Sequence, residues 1–341
     1  MLSFESDYIT GAHERILARL AETNRVSMSG YSKDDYCESA KRKIREACKC
    51  ENAEIFFISG GTQTNQLVIS TALRTYEGVV AADTGHVSLH EGGAIEYSGH
   101  KVLTIPHENG KIMPEALKKY MEAFYADGNR EQMVFPGMVY ISHPTEYGTL
   151  YSAEELRGLR AVCDEYKLPL FLDGARLAYA LASEGTDVDL PLIAELCDVF
   201  YIGGTKDGAL CGEALVYTKN NMPPHFNTTV KQRGALLAKG RLFGVQFDEL
   251  FTDGLYFEIG RHAVSLSMRL KKAFLDKGYQ LHIDSYTNQQ FVILEKEQYE
   301  RLREKVCFSF WENLEGERTV VRLATSFSTT ENDVAELENL I

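Results

Sequence analysis

Lys206 closes a continuous apolar run, Val199-Phe200-Tyr201-Ile202-Gly203-Gly204-Thr205-Lys206. A lysine held against apolar surroundings has its amine pKa lowered, which suits Schiff-base chemistry. A lysine at a strand end is also commonly just solvated. Asp173 ends a second run, Leu170-Phe171-Leu172-Asp173. A carboxylate there needs a cation or hydrogen-bond donors, and nearby Arg176 offers a plain structural ion pair. Gly60-Gly61-Thr62-Gln63 follows a third run, Glu54-Ile55-Phe56-Phe57-Ile58. Glycines at a strand-to-helix turn let an anion approach the N–H groups of the next helix, with Thr62 as a hydroxyl donor. The same pair would also serve a tight turn with no ligand. Neither GxGxxG nor GxxxxGK[ST] is present, so the nucleotide fingerprints do not fit.

The combination is sharper than its parts. A phosphate cup, then a buried acid, then a strand-end lysine is what pyridoxal 5′-phosphate requires. The phosphate sits on the helix N-terminus. The acid keeps the pyridine nitrogen protonated so that the ring draws electrons, and the lysine holds the cofactor covalently.

The sequence resembles the fold-type-I pyridoxal-phosphate enzymes of the threonine aldolase and β-eliminating lyase group over nearly its whole length. The stretches that carry the resemblance are Ser6-Asp7-Tyr8-Ile9-Thr10, Ser59-Gly60-Gly61-Thr62-Gln63-Thr64-Asn65, His86-Val87-Ser88-Leu89-His90-Glu91-Gly92-Gly93 and Pro144-Thr145-Glu146-Tyr147-Gly148. Leu172-Asp173-Gly174-Ala175-Arg176-Leu177 is the most specific, and Thr205-Lys206 and Val321-Arg322-Leu323 complete the set. The resemblance implies that Gly60, Gly61, Thr62 and Thr205 contact the cofactor, with Gly61 and Thr62 on its phosphate. His86 is implied to stack on the pyridine ring, Asp173 to pair with its nitrogen and Lys206 to bind it covalently. Arg176, Arg322 and Ser6 are implied to hold the substrate α-carboxylate, with Arg176 also beside the cofactor. Lys231 matches a basic residue that reaches the neighbouring subunit's phosphate. The family's sites are shared between subunits, so a homodimer or homotetramer is expected.

Two departures bear on substrate chemistry. Familiar threonine aldolases carry Thr-His-Asn where this chain has Thr145-Glu146-Tyr147, and Ser-Lys-Gly where it has Thr205-Lys206-Asp207. Glu146 is expected either to act as base or acceptor for a substrate hydroxyl, or to be a loop acid facing water. His86 and His90 have the i, i+4 spacing of a helical metal pair, but a third ligand is missing and Gly92-Gly93 follow, so no metal is expected. The resemblance implies retro-aldol cleavage of a β-hydroxy-α-amino acid, threonine or allo-threonine-like, to glycine and an aldehyde. β-Elimination on a β-substituted amino acid is the alternative, and a non-enzymatic phosphate-binding module is the distant one.

The elements that must position these residues alternate. Strands are expected at Glu54–Ile58, Val79–Ala82, Lys101–Ile105, Met138–Ser142, Leu170–Asp173 and Val199–Ile202, with Glu213–Tyr217 as one more. Helices are expected from Thr62, from Pro114 to about Phe124, and from the capping-box spacing Ser152/Glu155 to about Tyr166. Continuous apolar strands alternating with helices give an α/β domain whose mostly parallel, mixed sheet is covered on both faces. From about Val230 to Lys277 the pattern is helical, then short strands near Phe291–Leu294 and Val320–Ala324 precede a last helix capped near Ser328–Glu331. The expected division is a cofactor-binding large domain over 1–245 and a small α+β C-terminal domain over 246–341.

Composition restricts partners. Lys and Arg total 36 against 49 Asp and Glu, a net charge of −13, which argues against a general nucleic-acid binder. No apolar run approaches membrane-spanning length, and Met1-Leu2-Ser3-Phe4-Glu5-Ser6-Asp7 has acids where a signal peptide wants basic residues, so a cytoplasmic protein is expected. The seven cysteines are an odd number in a core-rich chain and are expected to stay reduced.

Overall fold

The computed structural model describes residues 1–341. Its main sheet has seven strands in the spatial order Glu54–Ile58, Glu213–Tyr217, Val199–Gly203, Leu170–Asp173, Phe135–Ser142, Glu77–Ala82, Val102–Ile105. Every expected strand of the α/β part forms. All pairs are parallel except the two made by Glu213–Tyr217, which runs antiparallel to both neighbours. The connection into that strand, from Gly203 to Glu213, is too short for a parallel crossover, so the strand has to reverse.

Side-chain alternation splits the sheet into two apolar layers. Leu170, Leu172, Phe200 and Ile202 face the larger core, while Phe171, Val199 and Tyr201 face the other. Parity then places Asp173 on the Phe171 face, and Tyr140 lies on that same face of the neighbouring strand. Helices form where their start signals stand. Gly61–Ala72 begins at the glycine pair, Pro114 is the first residue of Pro114–Ala126, and the Ser152/Glu155 capping box opens Ala153–Tyr166.

The helical stretch after Val230 resolves into Phe226–Gln232, Arg241–Leu250 and the 22-residue Leu255–Asp276. A second sheet has four antiparallel strands in the order Ser309–Leu314, Arg318–Ala324, Gln289–Glu295, Gln280–Ile283. Leu2–Ser3 pairs in parallel with Val306–Cys307, and Phe4 sits in the small core beside Leu266, Leu270 and Phe274. Leu255, Tyr256, Ile259, Ala263 and Val264 of the same long helix belong instead to the large core. No helix is long and apolar enough to cross a membrane. All seven cysteines carry free thiols.

Candidate active site

Parallel strands bring their carboxyl ends to one edge of the sheet, and the loops there enclose a cavity of about 320 Å³. Gly61, Thr62, His86, Asp173, Lys206 and Glu213 all line it. An adjoining cavity of about 570 Å³ shares His86, Glu146, Arg176 and Lys206 and adds Trp311 and Arg322. The structure therefore gathers Gly60, Gly61, Thr62, His86, Glu146, Asp173, Arg176, Thr205 and Lys206 on the walls of the first cavity.

The phosphate end is built from backbone. Gly60 caps the Gly61–Ala72 helix without a side-chain hydrogen bond, so the first N–H groups stay available to an anion. A Cβ on Gly60 would meet nothing within 4 Å, whereas one on Gly61 would stand 2.9 Å from the Tyr201 hydroxyl. The second glycine is thus required by close packing.

Asp173 is held by four donors. Tyr201 and Tyr140 donate their hydroxyls at 2.5 and 2.6 Å, and Asn65 Nδ2 and the Ala175 N–H each donate at 3.0 Å. Burial, and then the Asp173 charge, push both tyrosine hydroxyls well above their ordinary pKa, so they remain donors. The same Asn65 Nδ2 donates to Glu91 Oε1 at 2.6 Å, and His86 Nδ1 lies 2.8 Å from that oxygen. A continuous polar chain therefore runs Asp173–Asn65–Glu91–His86. The His86 and His90 rings are 5.8 Å apart, and no group of three His, Cys, Asp or Glu is placed to hold a metal ion.

Burial lowers the Lys206 amine pKa, and the nearby Arg176 guanidinium lowers it further, against the opposing pull of Asp7, Asp173 and Glu213. Thr205 turns its hydroxyl inward, donating to Glu213 Oε1 at 2.8 Å and accepting from the Gly212 N–H at 3.0 Å. Glu213 Oε2 accepts from the Gly204 N–H at 2.9 Å. Because its strand is reversed, the first residue of that strand arrives where the other strands end. Burial pushes the Glu213 carboxyl up to about 7, against those hydrogen bonds and Lys206. Asp207 is fully buried behind the lysine, and its Oδ2 accepts from the Tyr256 hydroxyl at 2.9 Å.

Arg176 does not pair with Asp173. It grips Asp7 with Nε at 2.6 Å and one Nη at 3.0 Å, which leaves the other Nη for the cavity. Ser6 is buried beside it, hydroxyl toward Asp7 at 3.5 Å, and lines neither cavity. Arg322 donates to Gln289 Oε1 and Ser309 Oγ, both at 3.2 Å, while its Nε is buried without a partner. Burial, then Arg176, lower its pKa. Lys231 is exposed, its ammonium 4.9 Å from the Tyr31 ring centroid, and lines neither cavity. Glu146 is half-buried and faces both cavities. Its Oε1 accepts from the His86 N–H at 2.9 Å and the Ser142 hydroxyl at 2.7 Å. Burial raises its pKa, against the Ser142 hydrogen bond.

Residues 3–299 match the sequence profile of the family described as β-eliminating lyase. The chain belongs to that family. Low specificity L-threonine aldolases of Pseudomonas sp. and Pseudomonas aeruginosa are each 30% identical over 308 residues, with 89% and 88% of this chain and 87% and 86% of theirs covered. The solved structure of Leishmania major threonine aldolase superposes with a TM-score of 0.96 at 42% identity, covering 100% of this chain and 98% of that one. Thermus thermophilus aspartate aminotransferase, 14% identical with a TM-score of 0.74 over 100% of this chain and 90% of its own, shares the fold. The family fold is the fold-type-I arrangement of pyridoxal-phosphate enzymes.

The β-eliminating lyase family depends on pyridoxal phosphate, and the residues present fit it. An uncapped helix N-terminus is open to a phosphate, a carboxylate with four donors stands at the floor, and a lysine with a lowered pKa opens on the same cavity. Tyr140, Tyr201, Asn65, Glu91, Glu213 and Asp7 were not assigned from sequence. Side-chain parity was the one local signal for the tyrosines, and an acid opening the apolar strand Glu213–Tyr217 was the signal for Glu213.

Proposed function

We propose that the protein cleaves a β-hydroxy-α-amino acid, threonine or allo-threonine-like, to glycine and an aldehyde. The observation that carries this reading is Glu146, an acceptor with a raised pKa placed on the wall shared by the cavity of Lys206 and Asp173 and the cavity of Arg322. Bound pyridoxal phosphate supplies the electron sink for the pair left at Cα when the Cα–Cβ bond breaks. Gly61 and Thr62 would hold its phosphate, His86 would cover its ring, and Asp173 would keep its pyridine nitrogen protonated. Lys206, on the same cavity with its amine pKa lowered, would be the residue that holds the cofactor covalently. Arg322 and the free Nη of Arg176 would hold the substrate α-carboxylate and so fix the orientation of the amino acid. Glu146 takes the β-hydroxyl proton.

Incubation with threonine, allo-threonine, serine and a β-substituted alanine tests the reading. Glycine and acetaldehyde from threonine or allo-threonine support it. Pyruvate and ammonia as the main products would replace it with β-elimination, which the family also fits.

The same reading makes the protein a homodimer or homotetramer with shared sites. Apolar side chains at the cavity mouths support this, since Tyr8, Leu89 and Phe310 are each more than half exposed. Lys231, exposed and outside its own cavity, is proposed to serve a neighbouring subunit's phosphate. Turnover recovered on mixing Lys206→Ala and Lys231→Ala subunits would support sharing, and its absence would count against it. A cytoplasmic location is proposed on the free thiols, which persist in a reducing compartment.

A further inference from the structure

Glu91 is buried, yet it is neither a cofactor ligand nor part of any apolar layer. Its Oε1 takes two contacts, from Asn65 Nδ2 at 2.6 Å and from His86 Nδ1 at 2.8 Å. Asn65 fixes the sense of the arrangement. Its amide nitrogen stands between two carboxylates, 2.6 Å from Glu91 and 3.0 Å from Asp173, so the NH₂ group must be the one facing them. Glu91 Oε1 is therefore an acceptor, and the partner imidazole nitrogen must supply a proton. Since a neutral imidazole carries one N–H, the other ring nitrogen is left with its lone pair. His86 lines both cavities, and its side chain is 34% exposed.

We infer that Glu91 is a positioning residue that holds His86 in the Nδ1–H form, so that Nε2 faces the cavity as an acceptor. This rests on the aldolase reading for its purpose. A hydroxyl about to lose its proton has to donate, and an N–H at Nε2 would oppose it. An Nε2 lone pair accepts from it. The substrate hydroxyl then meets two acceptors, Glu146 and His86 Nε2, both tied to one short segment. The Glu146 carboxylate receives the His86 backbone N–H, while the His86 ring is oriented by Glu91 five residues on. Asn65 joins Glu91 to Asp173, so His86 and Asp173 share one support.

Selective ¹⁵N labelling of histidine tests this, with His86 assigned through a His86→Asn variant. The holoenzyme is expected to show His86 protonated at Nδ1 and not at Nε2. Glu91→Gln keeps an acceptor oxygen and should retain that form. Glu91→Leu removes the acceptor and should lose it, with kcat falling by about 10²-fold while the cofactor absorption band remains. His86 carrying its proton on Nε2 in the unaltered protein would overturn the inference, and that measurement needs no Glu91 variant to fold, only the His86→Asn protein used for assignment. An unchanged tautomer in Glu91→Leu would overturn it equally. The cofactor band and the substrate panel report separately on the aldolase reading. An Nδ1–H His86 in a protein without aldolase turnover supports the Glu91 arrangement and sinks that reading alone.

Discussion

Arg176 and Asp7 form a buried two-point ion pair, Nε to Oδ2 at 2.6 Å and Nη to Oδ1 at 3.0 Å, across 169 positions of sequence. Asn288 completes it, donating to Asp7 Oδ2 at 2.9 Å. The N-terminal segment, the strand-end loop after Asp173 and the small sheet region thereby meet at one carboxylate.

That carboxylate should govern acid stability. Burial alone would raise the Asp7 pKa, but Arg176, Lys206 and Asn288 outweigh it and bring it down from 3.8 to about 2. A depressed folded-state pKa contributes stability above the unfolded value that is lost as pH falls toward the folded one. The contribution is on the order of 2 kcal/mol, disappearing between about pH 4 and pH 2. Asp7→Asn should lose about 3 kcal/mol at neutral pH, because Arg176 is left buried with a neutral partner. Denaturant melts across that pH range check both, and a variant as stable as its parent at pH 7 would remove the claim.

Glu213 should act with the opposite sign. Its carboxyl is raised by burial from 4.5 to about 7, so its favourable contribution is complete at low pH and is lost as pH rises through about 7. Glu213→Gln should therefore gain stability relative to the unaltered protein as pH rises from about 4.5 to about 7, by on the order of 3 kcal/mol, with the gap constant above that. A difference that stays flat with pH would show that Glu213 is not titrating there.

Lys206→Ala should bind pyridoxal phosphate only reversibly and lose the yellow absorption band on dialysis. Turnover should fall to background. Retention of a covalent band would mean that another amine holds the cofactor, and mass spectrometry after borohydride reduction would locate it.

Glu146→Gln keeps the shape of the side chain and should keep the cofactor band, while kcat falls by about 10²-fold. A base works when deprotonated, and the Glu146 pKa is raised by burial. The acid limb of kcat should therefore lie above the ordinary carboxylate range and vanish in the variant. Undiminished turnover would end the catalytic assignment.

Arg322→Ala should raise KM for the amino acid by about 10-fold to 100-fold and leave the cofactor spectrum unchanged. Its Nη groups meet neutral oxygens of Gln289 and Ser309, so its charge is not spent on a protein carboxylate. An unaltered KM would place the substrate carboxylate on Arg176 alone.

Lys206, Asp173 and Gly61 were legible in the sequence because each stands just past a continuous apolar strand, where an open α/β sheet places its ligands. Tyr140 and Tyr201 were hidden because a tyrosine inside such a strand looks like core, and both are also counted among the core residues. Their hydroxyls matter only because Phe171–Asp173 has matching parity on the intervening strand. Asp7 is hidden because nothing local shows a partner 169 residues away, and the neighbouring Ser6 carries the more obvious hydroxyl. The small sheet was half legible. Phe291–Leu294 and Val320–Ala324 are its buried central strands, whereas Gln280–Ile283 and Ser309–Leu314 are partly exposed edges with a weaker apolar signal.

The Leu255–Asp276 helix roots its first turns in the large core and its later turns in the small one. The opening strand Leu2–Ser3 and Phe4 are fastened to the small core before the chain reaches Asp7 and the cofactor cavity. One rod and one strap thus cross between the two cores, and neither core can melt without pulling on an element the other needs. Heating should give a single cooperative transition, with calorimetric and van't Hoff enthalpies in agreement for each subunit. Loss of the first four residues should lower that transition as a whole instead of splitting it in two.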